Sequence, residues 1–158
     1  YMARYDPVTG ATLGGFNNSD YYFAIGIDGV GDLLVVANPG NRNINKGLVV
    51  ADKSTQTVKV AYSQTPNADQ GQDSQVAIDR DGYIHLSWQG NSGTGRVATL
   101  QVYEYIPPST LAVLYTYTPS VATVIGDPGL SVSRPNNVVC FNTYIPSGTF
   151  QHYSFFFK

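Results

Sequence analysis

Charge is scarce in this chain. Its 158 residues carry 9 basic and 11 acidic side chains, a net charge of -2. Only 13% of residues are charged, against roughly 25% in an ordinary soluble domain. So even a balance gives no electrostatic ground for nucleic acid or an anionic membrane surface as partner. Cysteine occurs once, at Cys140, which excludes an internal disulfide. Glutamate occurs once, at Glu104, and no window repeats apolar residues every 3.6 positions, so no helix is expected. No apolar run approaches the roughly 18 residues of a membrane-spanning helix, and no membrane insertion is expected. The two histidines, His85 and His152, are not spaced as metal ligands and have no cysteine near them, so no metal or other cofactor is expected.

What is abundant is glycine (16), tyrosine (12), and asparagine, serine and threonine. This is the composition of short strands joined by tight turns. Three stretches make the pattern explicit: "AIGIDGVGDLLVVA" at 24–37, "QVAIDRDGYIHLSW" at 75–88 and "GLSVSRPNNVVCFN" at 129–142. They align without a gap at offsets of 51 and 54 residues. Ile25, Val76 and Leu130 share a column, as do Ile27, Ile78 and Val132, then Leu33, Ile84 and Val138, then Val35, Leu86 and Cys140. Each copy alternates apolar and polar residues on both sides of a four-residue turn, the pattern of a β-hairpin. The predicted turns are Asp28-Gly29-Val30-Gly31, Asp79-Arg80-Asp81-Gly82 and Ser133-Arg134-Pro135-Asn136.

A second hairpin follows at 47–62 and at 100–117, and "YMARYDPVTGATLGGF" has the same form at the N-terminus. "HYSFFFK" reads as the first strand of another. The chain therefore parses as one all-β domain over residues 1–158: a partial unit at 1–19, full four-stranded units at 20–72 and 73–126, and a partial unit at 127–158. Antiparallel four-stranded repeats of 51–54 residues are expected to be β-propeller blades; the alternative is a β-sandwich or jelly roll. Three units do not close a ring, so the chain is expected to be an oligomer or part of a longer chain. Tyr1 in place of Met points the same way, to a processed product or an internal fragment. The aromatic run Tyr153-Ser154-Phe155-Phe156-Phe157 fits a subunit contact, because an uncovered strand of that kind aggregates.

The stretch "VAIDRDGYIHLSW" (76–88) resembles blades of the bacterial neuraminidase repeat, or Asp-box-like, propellers, a group that includes sialidases, polysaccharide lyases and sugar-binding lectins. No copy meets the strict Asp-box pattern of Ser or Thr two residues before the Asp with an aromatic after the Gly turn. A sialidase-like site also needs an arginine cluster, whereas Arg4, Arg42, Arg80, Arg96 and Arg134 are spread one to a hairpin or loop. The family's catalytic residues do not carry over, and the balance is against an enzyme. The composition also resembles host-binding parts of bacteriophage tail fibres and tailspikes, which implies an extracellular or virion-surface location.

The candidate site residues lie on three connections at equivalent places in the repeat: "NPGNRNINKG" (38–47), "QGNSGTGRVA" (89–98) and "NTYIPSGTF" (142–150). The expected ligand-binding residues are Asn41, Arg42, Trp88, Asn91, Arg96, Asn142 and Tyr144. An aromatic ring there would stack on a sugar while Asn and Arg bond its hydroxyls. A glycan or protein receptor is thus the expected partner, held by a lectin-like, carbohydrate-binding module; the alternatives are a segment of a propeller glycoside hydrolase or polysaccharide lyase, and a structural viral or tail assembly domain. Asp79 and Asp81 resemble the start of a calcium loop, but two carboxylates fall short of six oxygens, and an Asp-Gly turn capping its own backbone explains them equally well. His85 alternates between Ile84 and Leu86 and is expected inside a sheet interface; Cys140 is expected as a small buried hydrophobe.

Overall fold

A computed structural model describes residues 2–16, 26–37, 48–55, 57–62, 72–91, 96–118, 129–147 and 149–157. Every regular element among them is a β-strand, and all pairing is antiparallel. No helix among the described residues is long and apolar enough to cross a membrane.

The strands form four sheets, each in the order of the sequence. β1 (Met2–Tyr5) and β2 (Thr12–Phe16) make an N-terminal hairpin. β3 (Gly26–Val30), β4 (Leu33–Ala37), β5 (Leu48–Asp52) and β6 (Val58–Tyr62) make the first four-stranded sheet. β7 (Gln72–Ile78), β8 (Ile84–Asn91), β9 (Arg96–Ile106) and β10 (Thr110–Tyr117) make the second. β11 (Gly129–Ser133), β12 (Val138–Ser147) and β13 (Thr149–Phe157) make a third sheet of three strands. Short turns and period-2 patterning lead to this outcome, since each strand finds its partner in the next.

The turns differ from the expectation of one shared four-residue form. Val30 pairs with Leu33, leaving a two-residue turn, and Asp28 lies in the strand opposite Val35. Ile78 pairs with Ile84 across five residues, and Ser133 with Val138 across four. The residue with positive φ is Gly31 in the first, Gly82 in the second and Asn137 in the third. Glycine, and to a lesser degree asparagine, tolerates that conformation, so each turn closes wherever such a residue falls. A gapless alignment therefore conceals three different registers.

The apolar core lies between the first two sheets. Val76, Ile78, Ile84, Leu86 and Tyr103 occupy one face of the second sheet, since cross-strand partners point to the same side. They cluster with Val35, Leu48 and Val50 of the first. Full burial of each aliphatic side chain stabilises by about 1.5–3 kcal/mol before chain entropy is set against it. The other face of the second sheet carries Ala77, His85, Ser87, Leu100 and Val102, and the third sheet brings Val139 and Phe141 to its partner side, both buried. Cys140 points the opposite way from these two along β12. It is half-buried rather than a core residue, with its thiol on Asn142 Oδ1 at 3.4 Å.

The first strands of the first two large sheets and the turn that follows β11 meet at one residue, Ile78. Ile78 N–H donates to Asp28 Oδ2 at 2.7 Å, and Ile78 C=O accepts from Arg134 Nε at 3.0 Å. Arg134 also pairs with Asp28 directly, joining the first sheet to the third. β3, β7 and β11 are all edge strands, so the sheets approach one another along their leading edges.

Candidate functional site

The site begins with the five-residue turn between β7 and β8. Asp79 Oδ1 accepts the backbone N–H of Asp81 at 3.0 Å and of Tyr83 at 2.9 Å. Its Oδ2 meets His85 Nε2 at 3.0 Å. Both residues are buried, with His85 only 5% exposed. Asp79 thus organises the turn through its backbone and holds the imidazole in one orientation. In the tautomer that donates Nε2–H to Asp79, the other ring nitrogen is an acceptor. That atom, His85 Nδ1, is buried and has no hydrogen-bond partner among the described residues. Ser87 Oγ, two residues along the same strand face, is in the same condition.

The turn of the third sheet packs across from it. Asn137 donates through Nδ2 to Asp81 Oδ2 at 2.7 Å and accepts the Arg80 N–H on Oδ1 at 3.3 Å. Arg80 Nε lies 3.4 Å from Asp81 Oδ1 at the exposed surface. Between the two sheets is a cleft of about 440 Å³. Asp79 and His85 line it with Asp81, Tyr83 and Asn137, and Val102, Val139, Leu114 and Tyr115 complete its walls.

Leu114 and Tyr115 are neighbours in sequence, which a regular strand would send to opposite faces. The register of β10 against β9 steps from Val113↔Tyr103 to Tyr115↔Val102, leaving Leu114 as the extra residue of a β-bulge. The bulge turns two consecutive side chains toward one cleft. Tyr115 stacks on Tyr117 with centroids 6.5 Å apart, and Tyr117 meets Phe141 of the third sheet edge to face at 6.5 Å. Burial, and then the neighbouring Tyr115, push the Tyr117 phenol above its ordinary pKa.

None of the residues expected from sequence is among the described residues that line this cleft. Asn41 and Arg42 lie outside the described residues. Trp88 pairs with Thr99, and Asn91 and Arg96 face one another as the last pair of the β8–β9 hairpin. Their side chains, and that of Tyr144, lie outside the described residues. Most of the second and third expected loops is strand: only residues 92–95 and 148 fall between β8 and β9 or between β12 and β13. Asn142 pairs with Gly129 and Ser154, and Tyr144 with His152, so both belong to β12 rather than to a loop. Alternating β-formers such as Tyr144 and Ile145 extend the ladder where the Asn, Ser and Gly content suggested a connection.

The oxygens of Asp79 are spent on its own turn and His85, and those of Asp81 on Asn137 and Arg80. No group of three or more His, Cys, Asp or Glu that could hold a metal ion occurs among the described residues. Sequence reading missed the Asp79–His85 pair, Asn137 and the two cleft tyrosines. The first follows from the turn length, because five residues between Ile78 and Ile84 bring Asp79 back beside the strand that carries His85. Tyr115 left no such signal; its aim depends on a bulge.

No protein-family model matches the chain, and neither a curated protein nor a solved structure matches it.

Proposed function

We propose that this chain is a non-enzymatic binding module that engages a glycan or protein receptor. The observation that carries the reading is the cleft between the second and third sheets, with solvent-exposed tyrosines beside fixed polar groups. Tyrosine offers an apolar face and a polar tip, the combination that binding surfaces favour. Its volume falls within the roughly 300–1,000 Å³ usual for ligand pockets. The four-stranded units are blades of a β-propeller-like array, which further blades or a second copy completes. The meeting of Asp28, Ile78 and Arg134 supports this, because leading strands converge when sheets radiate from an axis. The setting is extracellular or on a virion surface, as in a phage receptor-binding protein.

The Asp79–His85 pair favours a second reading. A carboxylate that orients an imidazole is the arrangement of a general base, so the module could be a segment of a propeller glycoside hydrolase or polysaccharide lyase. Glycan-array binding by the intact chain, with cleavage of the same glycans followed in parallel, separates the two. Saturable binding without product supports the module. Product formation that disappears in Asp79→Asn transfers support to the enzyme. Absence of any glycan binding removes the sugar and leaves a protein receptor.

A further inference from the structure

We infer that the cleft between the second and third sheets is a binding site for an uncharged sugar ring and discriminates against acidic sugars. The inference rests on the binding-module reading and names the ligand class. Four observations carry it. First, the walls are amphipathic in the way a pyranose is. Tyr83, Leu114 and Tyr115 present apolar surface at 38%, 50% and 48% exposure, suited to the carbon-bound hydrogens of a ring face. Second, the β-bulge at Leu114 places two adjacent side chains on that wall. Third, the polar side is held rigid before any ligand arrives: Asn137 ties to Asp81 from one sheet to the other, and Asp79 fixes His85, so little of this wall has to be ordered on binding. Fourth, His85 lines the cleft, and its ring is more than nine-tenths buried and anchored on Asp79, so the imidazole face it offers is fixed in place.

Charge excludes the alternative class. Among the described residues, the ionisable lining groups are two aspartates, two tyrosines and one histidine, with no lysine or arginine among them. Arg80, on the same turn, already lies against Asp81 at the exposed surface. A carboxylated or phosphorylated sugar would enter beside two carboxylates with no lysine or arginine among the described lining residues to receive it, which like-charge repulsion disfavours.

The test uses methyl glucoside, galactoside and mannoside against glucuronic acid and sialic acid, read by saturation-transfer NMR and titration calorimetry on the intact chain. At least one uncharged pyranoside should bind, at least about 10-fold tighter than either acid, a difference of about 1.4 kcal/mol. Tyr115→Ala should weaken it by about 10-fold, and Tyr5→Ala, on the N-terminal hairpin, should leave it unchanged. Circular dichroism of Tyr115→Ala and the conservative Tyr115→Phe, which should retain most binding, guard against loss of fold. Preference for an acid overturns the inference. So does uncharged-sugar binding that survives both Tyr115→Ala and Tyr83→Ala, an outcome that leaves the binding module standing. If no sugar binds here or on the array, both the cleft assignment and the glycan reading fall.

Discussion

Strand β8 looks into two different interfaces, and the contrast between them organises the molecule. Ile84 and Leu86 face the first sheet, in a cluster made only of apolar side chains and one tyrosine. His85 and Ser87, interleaved with them, face the third sheet, where there are an Asp–His pair, a hydroxyl without a partner among the described residues, and a cleft. All four residues are buried. Burial alone therefore does not separate stability from function; the chemistry of the buried groups does. The dry interface can only hold. The polar one holds less well, since unpaired buried polar atoms cost free energy, and it retains groups that could meet a ligand.

Substitutions along β8 put that contrast at risk. Leu86→Ala opens the dry interface and should cost about 2–5 kcal/mol in denaturant unfolding; a value under 1 kcal/mol, roughly the price of an exposed site, would mean the two sheets do not share a packed core. Asp79→Ala strips two backbone N–H groups and His85 of their acceptor and should cost about 2–3 kcal/mol. Asp79→Asn should recover part of this, because its carbonyl still accepts from the turn. Ser87→Ala should lie within about 1 kcal/mol of the parent and on the stabilising side, since it removes a hydroxyl with no hydrogen-bond partner among the described residues. A large loss there would show that Ser87 has a partner and that the polar interface is better satisfied than its geometry indicates.

The smallest expected effect concerns Tyr117, which spans the two sheets at the cleft's edge. Its phenol has a raised pKa in the folded chain, so its contribution to stability is full below the ordinary tyrosine value and is lost as pH rises through the folded value. Unfolding followed across the alkaline range should show stability falling from about pH 10 upward, with a shallower fall in Tyr117→Phe. Equal slopes in the two proteins would remove Tyr117 as the source.

The all-β class and the four-strand periodicity were legible because alternation and turn residues are local signals. Val76, Ile78, Ile84 and Leu86 announce one buried face by themselves, and His85 was correctly placed inside a sheet interface. Register was not legible. It depends on whether Gly31, Gly82 or Asn137 takes the left-handed conformation, and a column alignment treats those positions as equivalent. The cleft was less legible still. Tyr115 reaches it through a bulge, and Asn137 through a contact 56 residues away in the chain. Asn and Gly content suggested loops at 142–150, where pairing continues instead. Composition reports what a residue tolerates, and the ladder decides where it stands.

The bonds that Asp28 and Arg134 make to Ile78, and to each other, alter how the array can come apart. In a stack where each unit touches only its neighbours, the end units fray one at a time, and stability is a sum of unit and nearest-neighbour terms. Here the first and third sheets share a link that bypasses the second. Detaching either outer sheet breaks a next-nearest term as well, so partial unfolding is penalised more than it would be in a linear chain of modules. Melting is thereby drawn toward a single transition, as if the three sheets were one cooperative unit.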